Sequence, residues 1–187
     1  MTIITTPRLK LRPMEFKDLP AFASLNADPR VMEFLPKVLS IQETEEFYQR
    51  ILQSYSQHGF GLLAADLLNS SEFIGYIGLF VPNFSAFFTP CVEIGWRLAF
   101  EHWGKGYATE GAKAVLKFAF DELELSEVVS FTIPANLRSL KVMKKIGMEW
   151  VGEFDHPNLP IAHQFRRHFL YKIDSLEFRR NQTWRNQ

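Results

Sequence analysis

The chain is short of cysteine, of excess charge and of long apolar runs, and each shortage removes a class of protein. Cys91 is its one cysteine, so no internal disulfide can staple the fold, and the composition suits a reducing compartment. Twenty-one basic and 21 acidic residues cancel to a formal net charge of 0, which offers no bulk attraction to nucleic acid or another extended polyanion. No apolar stretch is long enough to span a bilayer, and the segment after Met1 lacks the apolar core of a secretory signal. Neither a nucleic-acid nor a membrane partner is expected, and the expected location is cytoplasmic. The five histidines have no recognised metal-ligand spacing, so no metal is expected; His156, His163 and His168 are the trio that could converge in space.

What is present fits a folded enzyme-sized unit. A chain of 187 residues with 47% hydrophobic content can bury a substantial core. It reads as a single domain over 1–174, followed by a basic tail over 175–187 that carries Arg179, Arg180 and Arg185 but little periodic apolar content. Phenylalanine occurs 18 times, more than a closed core requires, so some rings are expected to line a cavity or a subunit contact.

The stretch from Cys91 to Gly111 organises the rest. Val92, Ile94, Trp96 and Leu98 alternate with Glu93, Gly95 and Arg97, which predicts a strand with two unlike faces. Ala108, Ala112, Val115, Leu116, Ala119, Phe120 and Leu123 recur at helical spacing. Gly104 and Gly106 lie between the two elements. Where side chains are absent before a helix start, main-chain amides can approach a phosphate and the helix field favours its charge. A purely structural turn explains the pair equally well. The spacing matches neither the dinucleotide fingerprint nor the nucleoside-triphosphate loop, since Lys105 is followed by Gly106 and Tyr107.

Around this centre the pattern is mixed. Leu9 and Leu11 predict a strand ending near Pro13, and Asp18 caps a helix bearing Phe22 and Leu25. Val31, Met32, Phe34 and Leu35 suggest another helical turn. Ser40 and Glu43 have capping-box spacing before a helix with Phe47, Ile51 and Tyr55. Two apolar segments, Gly59 to Leu68 and Phe73 to Phe80, read as a hairpin. The connector from Val81 to Pro90 carries Phe84, Phe87 and Phe88, as a packed local cap or as part of a pocket or interface. Strands are expected at Glu127–Ile133, Trp150–Phe154 and His168–Ile173, with a short helix at Leu140, Met143 and Ile146 closed by Gly147. This order gives an α+β fold with a mixed sheet flanked by helices.

Four separated motifs then point one way: Thr6-Pro-Arg-Leu-Lys-Leu-Arg-Pro13, Trp103-Gly-Lys-Gly-Tyr-Ala-Thr-Glu110, Asn136-Leu-Arg-Ser-Leu-Lys-Val-Met-Lys-Lys-Ile-Gly-Met148 and Arg167-His-Phe-Leu-Tyr171. In this order they resemble the acetyl-coenzyme A dependent N-acetyltransferase (GNAT) superfamily, in its branch of ribosomal-protein N-terminal acetyltransferases. The resemblance runs from about Thr6 to about Lys172 and departs from the family's phosphate loop at Glu101, where glutamine or arginine is usual.

The resemblance implies a mostly antiparallel mixed sheet, split in the middle to admit the cofactor arm, with acetyl-CoA as cosubstrate and no metal. It implies contact of the pantetheine arm with the backbone of Trp96, Arg97 and Leu98. It makes His102, Trp103, Gly104, Lys105, Gly106, Tyr107 and Ala108 the pyrophosphate cradle and gives Asn136 and Ser139 places beside the arm and its sulfur. Acetyl transfer to an amine needs a neutral nitrogen, a held thioester and a protonated leaving sulfur. Glu93 is the candidate base, against a structural ion pair. Ser139 is the candidate to orient the thioester or relay a proton to the departing thiolate, against a solvated or helix-bonded hydroxyl. Asn136 also reads as a plain helix cap. Cys91 has no histidine constellation and is not expected to act as a nucleophile. The loop of His156-Pro157 through His163 borders the acceptor region by the same resemblance. The implied reaction is direct transfer to a primary amine, a protein amino terminus in this branch, with a small-molecule amine or a non-catalytic acyl-CoA sensor as alternatives, in a monomer or homodimer.

Overall fold

A computed structural model describes residues 2–183. They fall into two compact units, residues up to Phe80 with Gly95–Val115, and Val81–Ile94 with the residues from Leu116 onward. The first unit holds β1 (Ile4–Thr5), β2 (Leu9–Pro13), α1 (Leu19–Ala27), α2 (Ile41–His58), β3 (Leu62–Leu67) and β4 (Phe73–Phe80). Strand β5 (Glu93–Leu98) and helix α3 (Tyr107–Asp121) begin in one unit and end in the other. The second unit adds β6 (Glu127–Thr132), α4 (Leu137–Lys145), β7 (Glu149–Asp155), β8 (Arg167–Asp174) and α5 (Ser175–Thr183).

In the first unit the strands run in the order β1-β2-β3-β4-β5, with antiparallel pairing from β1 to β4. Alternation along β3 and β4 places Leu62, Ala64 and Tyr76 under Phe22 and Leu25 of α1 and Tyr48 and Ile51 of α2, and these buried side chains form one core. The expected capping box starts α2: Ser40 accepts from the Glu43 amide at 3.2 Å, and the Glu43 carboxylate accepts from the Ser40 amide at 2.9 Å. Gly75 decides how β4 meets β5. A Cβ there would stand 2.1 Å from the Arg97 carbonyl oxygen, so only glycine lets the two backbones approach this closely. A buried charge triad ties β2 to β3 and to the turn before α1: the Arg12 guanidinium donates to Asp18 at 2.7 and 2.8 Å and to Asp66 at 2.6 and 3.1 Å.

In the second unit the order is β5-β6-β8-β7, with β5 parallel to β6 through the single register pair Glu93↔Val129 and the other pairings antiparallel. The result is the expected mixed, mostly antiparallel sheet with flanking helices. Around Val31 and Met32 the chain makes one isolated helical turn, closed by the bond from the Met32 amide to the Asp28 carbonyl at 3.0 Å. One local expectation is corrected. The start of the supposed solvated tail is helix α5, because Phe178 buries itself against Phe120 at 5.1 Å between ring centroids; its two large apolar residues, Leu176 and Phe178, lie two apart and set no helical period to read from sequence. Arg185 lies outside the described residues.

Candidate active site

The glycine loop is held from within the first unit. A tight turn carries the chain off β5: the His102 amide donates to the Ala99 carbonyl at 2.9 Å and the Trp103 amide to that of Phe100 at 3.1 Å. Those two amides are thereby occupied, so of the expected cradle residues His102 and Trp103 have no main-chain N–H to offer an anion. The Trp103 indole donates to the Leu98 carbonyl at 2.7 Å and packs against the loop. The His102 ring lies 3.3 Å from the Glu72 carboxylate.

From Gly104 onward the backbone suits an anion. Gly104 and Gly106 adopt left-handed φ of +73° and +86°, and no heavy atom lies within 4 Å of where a Gly104 Cβ would stand. The first helical bond of α3 runs from the Glu110 amide to the Gly106 carbonyl at 3.0 Å. The amides of Tyr107, Ala108 and Thr109 precede it and have no partner one helical turn back, as at any helix start. Left-handed glycines, open space and first-turn amides together fit a pyrophosphate.

Sequence reading missed the clamp that fixes this loop. The Arg8 guanidinium donates to the Lys105 carbonyl at 2.9 Å and to Glu110 at 2.6 Å, and lies over the Tyr107 ring at 4.6 Å. Glu110 also accepts from the Arg8 amide at 2.9 Å and the Thr6 hydroxyl at 2.7 Å. Partners about a hundred residues apart leave no local signal. Glu101, the departure from the family loop, faces Arg30 at 3.2 Å.

Strand β5 carries the acid. The Glu93 side chain is 6% exposed, its Oε2 has no hydrogen-bond partner, and burial raises its carboxyl well above the ordinary value of 4.5. No ion pair involving Glu93 occurs among the described residues, which disfavours the structural-pair reading. Arg97, on the same side of the strand, turns its guanidinium to the Asn26 side chain and over the Tyr76 ring at 5.3 Å. Trp96 is half-buried and Leu98 buried.

In the second unit Asn136 caps α4, its Oδ1 accepting from the Ser139 amide at 3.2 Å while its Nδ2 donates to Thr132 at 3.1 Å. Ser139 stands half-buried in the first turn. Cys91 is pushed up to about 11 by burial and by Glu93 and Glu127, so it remains a thiol at neutral pH. In the connector from Val81 to Pro90, Phe84 meets His156 at 4.6 Å and Phe88 meets Phe154 at 4.8 Å, while Phe87 stands exposed. His156 and His168 do meet, at 5.2 Å, but His163 packs on Phe165 instead. Among the described residues no three His, Cys, Asp or Glu side chains converge to hold a metal ion, and no helix is long and apolar enough to cross a membrane.

Comparison with known proteins gives this arrangement its class. The acetyltransferase (GNAT) domain family matches residues 8–149. The uncharacterised N-acetyltransferase YnaD of Bacillus subtilis (strain 168) is 32% identical over 91% of this chain and 95% of its own. FsC-acetyl coenzyme A-N(2)-transacetylase of Aspergillus fumigatus is 32% identical over 80% of this chain and 66% of its own. A solved acetyltransferase from Agrobacterium tumefaciens str. C58 is 30% identical, with a TM-score of 0.76 over 94% of this chain and 95% of that one. The chain belongs to the GNAT family. It is an acetyltransferase that moves an acetyl group from acetyl-CoA to an amine.

Proposed function

We propose that the acceptor is a primary amine acetylated by direct attack, with Glu93 as base and Ser139 relaying a proton to the leaving sulfur. One observation carries the reading: Glu93 is a buried carboxyl whose Oε2 has no partner. Leaving such an atom unpaired costs about 1–3 kcal/mol, a cost that an acceptor N–H hydrogen-bonded there removes. A carboxyl raised by burial also accepts a proton more readily than an ordinary glutamate once it is ionised. The Ser139 hydroxyl, at the start of α4, relays a proton from solvent to the departing sulfur, gaining one as it gives one up, while Asn136 keeps that first turn in place.

Bound acetyl-CoA supplies the acetyl thioester. The amides from Gly104 to Ala108, with Lys105 at the loop's tip, hold its pyrophosphate, and the β5 backbone from Trp96 to Leu98 takes the pantetheine amides. His102 and Trp103 serve this cradle by shaping its entry.

The four sequence motifs favour a protein amino terminus as the acceptor, in a cytoplasmic monomer or homodimer. The second reading, an amine of a small molecule, draws on the Aspergillus relative named for transfer at an N2 position. Incubation of the purified protein with acetyl-CoA, peptides of varied first residue and a panel of small amines, followed by thiol release and product mass, tests both. Acetylation of peptide amino termini supports the first reading; product confined to small amines replaces it by the second.

A further inference from the structure

The side of the second unit on which Glu93 stands is built for an apolar companion. Partners in a sheet register project to the same side, as do residues two apart along a strand. Glu93 pairs with Val129, so its side chain shares a face with Val129 and, two residues on, with Phe131. Phe131 pairs with Leu170, and His168, two residues before Leu170, pairs with Phe154. One face of β5, β6, β8 and β7 therefore carries the buried acid and then a run of rings. The connector lays Phe84 and Phe88 on it, with Phe84 5.9 Å and Phe88 6.0 Å from Phe131. His156 joins at 6.1 Å from Phe131 and 5.2 Å from His168.

These rings do not close into a dry core. Phe84, Phe88, Phe131, His156 and His168 are each half-buried. The imidazoles add no charge at neutral pH, because burial lowers both. Their remaining hydrogen bonds are local: the His156 Nδ1 accepts from the Asn158 amide at 3.3 Å, and the His168 Nδ1 lies 3.1 Å from the Arg166 carbonyl. Of the flanking charges, Lys172 meets Glu127 at 3.1 Å, and Arg166 lies 3.4 Å from Asp155 with its buried Nε making no hydrogen bond. Among the buried side chains of the described residues, the Glu93 carboxyl is the one on this face whose oxygen lacks a partner. A single amine joined to a ring-sized apolar group would satisfy both the acid and the rings.

We infer that the acceptor is a primary amine with an apolar, ring-sized group beside the nitrogen, seated on this aromatic face with its nitrogen toward Glu93. The inference rests on the reading of Glu93 as the acceptor-side base. The shared chemistry is met by an arylalkylamine and by a peptide whose first residue is aromatic.

The test compares kcat/KM for phenethylamine against ethylamine, for Phe-Ala-Ala amide against Ala-Ala-Ala amide, and for spermidine. The ring-bearing member of at least one pair should lead by about tenfold or more, and the pair that does so identifies the source. In Phe131→Ala that ratio should fall toward one while calorimetric affinity for coenzyme A, the control for folding, is kept. Equal rates within both pairs, or spermidine as the best acceptor, would overturn the inference and leave amine acetylation standing. If no amine turns over, histidine ring resonances are followed by NMR during phenethylamine titration. Shifts that vanish in Phe131→Ala uphold the aromatic face and reject the catalytic reading; their absence in the native protein rejects the face as well.

Discussion

Replacing Glu93 by glutamine separates the cost of a buried acid from its use. Glutamine keeps the shape and equally leaves one polar atom needing a partner, but it does not titrate. The carboxyl is raised in the fold, so the native state binds more protons than the unfolded chain above the ordinary value of 4.5, and stability falls as pH rises from there through the raised folded value. At 6% exposure little solvent screening reduces the effect. Over that interval each pH unit costs about 1.4 kcal/mol, which for a chain of this size is about 3–6 °C in Tm. Differential scanning calorimetry of both proteins from about pH 5 upward should show the native Tm falling relative to that of Glu93→Gln. At saturating substrates kcat of the variant should drop at least about tenfold, with coenzyme A affinity unchanged, and the native kcat should rise with pH as the carboxyl ionises. Parallel Tm curves would refute the buried-acid argument, and equal kcat with the same basic-side rise would refute the base.

Three other perturbations probe the scaffold. Gly104→Val forces a branched residue to φ of +73° and projects it into the open space before α3, so calorimetry should show coenzyme A binding at least about tenfold weaker; unchanged affinity would end the cradle assignment. Arg8→Ala releases the Lys105 carbonyl and Glu110, which should raise KM for acetyl-CoA severalfold with a smaller effect on kcat, and steady-state kinetics would contradict the clamp if kcat alone fell. Arg12→Met leaves Asp18 and Asp66 buried without their cation and should destabilise the fold by about 3–5 kcal/mol in urea denaturation. Because Asp18 is held below its ordinary value, its share of stability is present above the unfolded pKa and lost as pH falls through the folded one, a dependence that the variant should lack.

The sequence by itself determined the elements whose signals are local. Period-two alternation from Val92 to Leu98 marks β5, Ser40 with Glu43 marks the start of α2, and Gly104 with Gly106 marks a loop that no side chain may crowd, because each depends on residues a few positions apart. The family was legible for the same reason, through short motifs in order. Tertiary structure decided what those residues face. Alternation put Glu93 on the polar side of its strand, yet packing of that side buries it and leaves an oxygen unpaired. The Arg8 and Glu110 clamp, the Arg12 triad and the ring-lined face of Phe84, Phe131, His156 and His168 join residues far apart in the chain. No local propensity encodes such pairings; only the strand register and the burial it imposes bring them together.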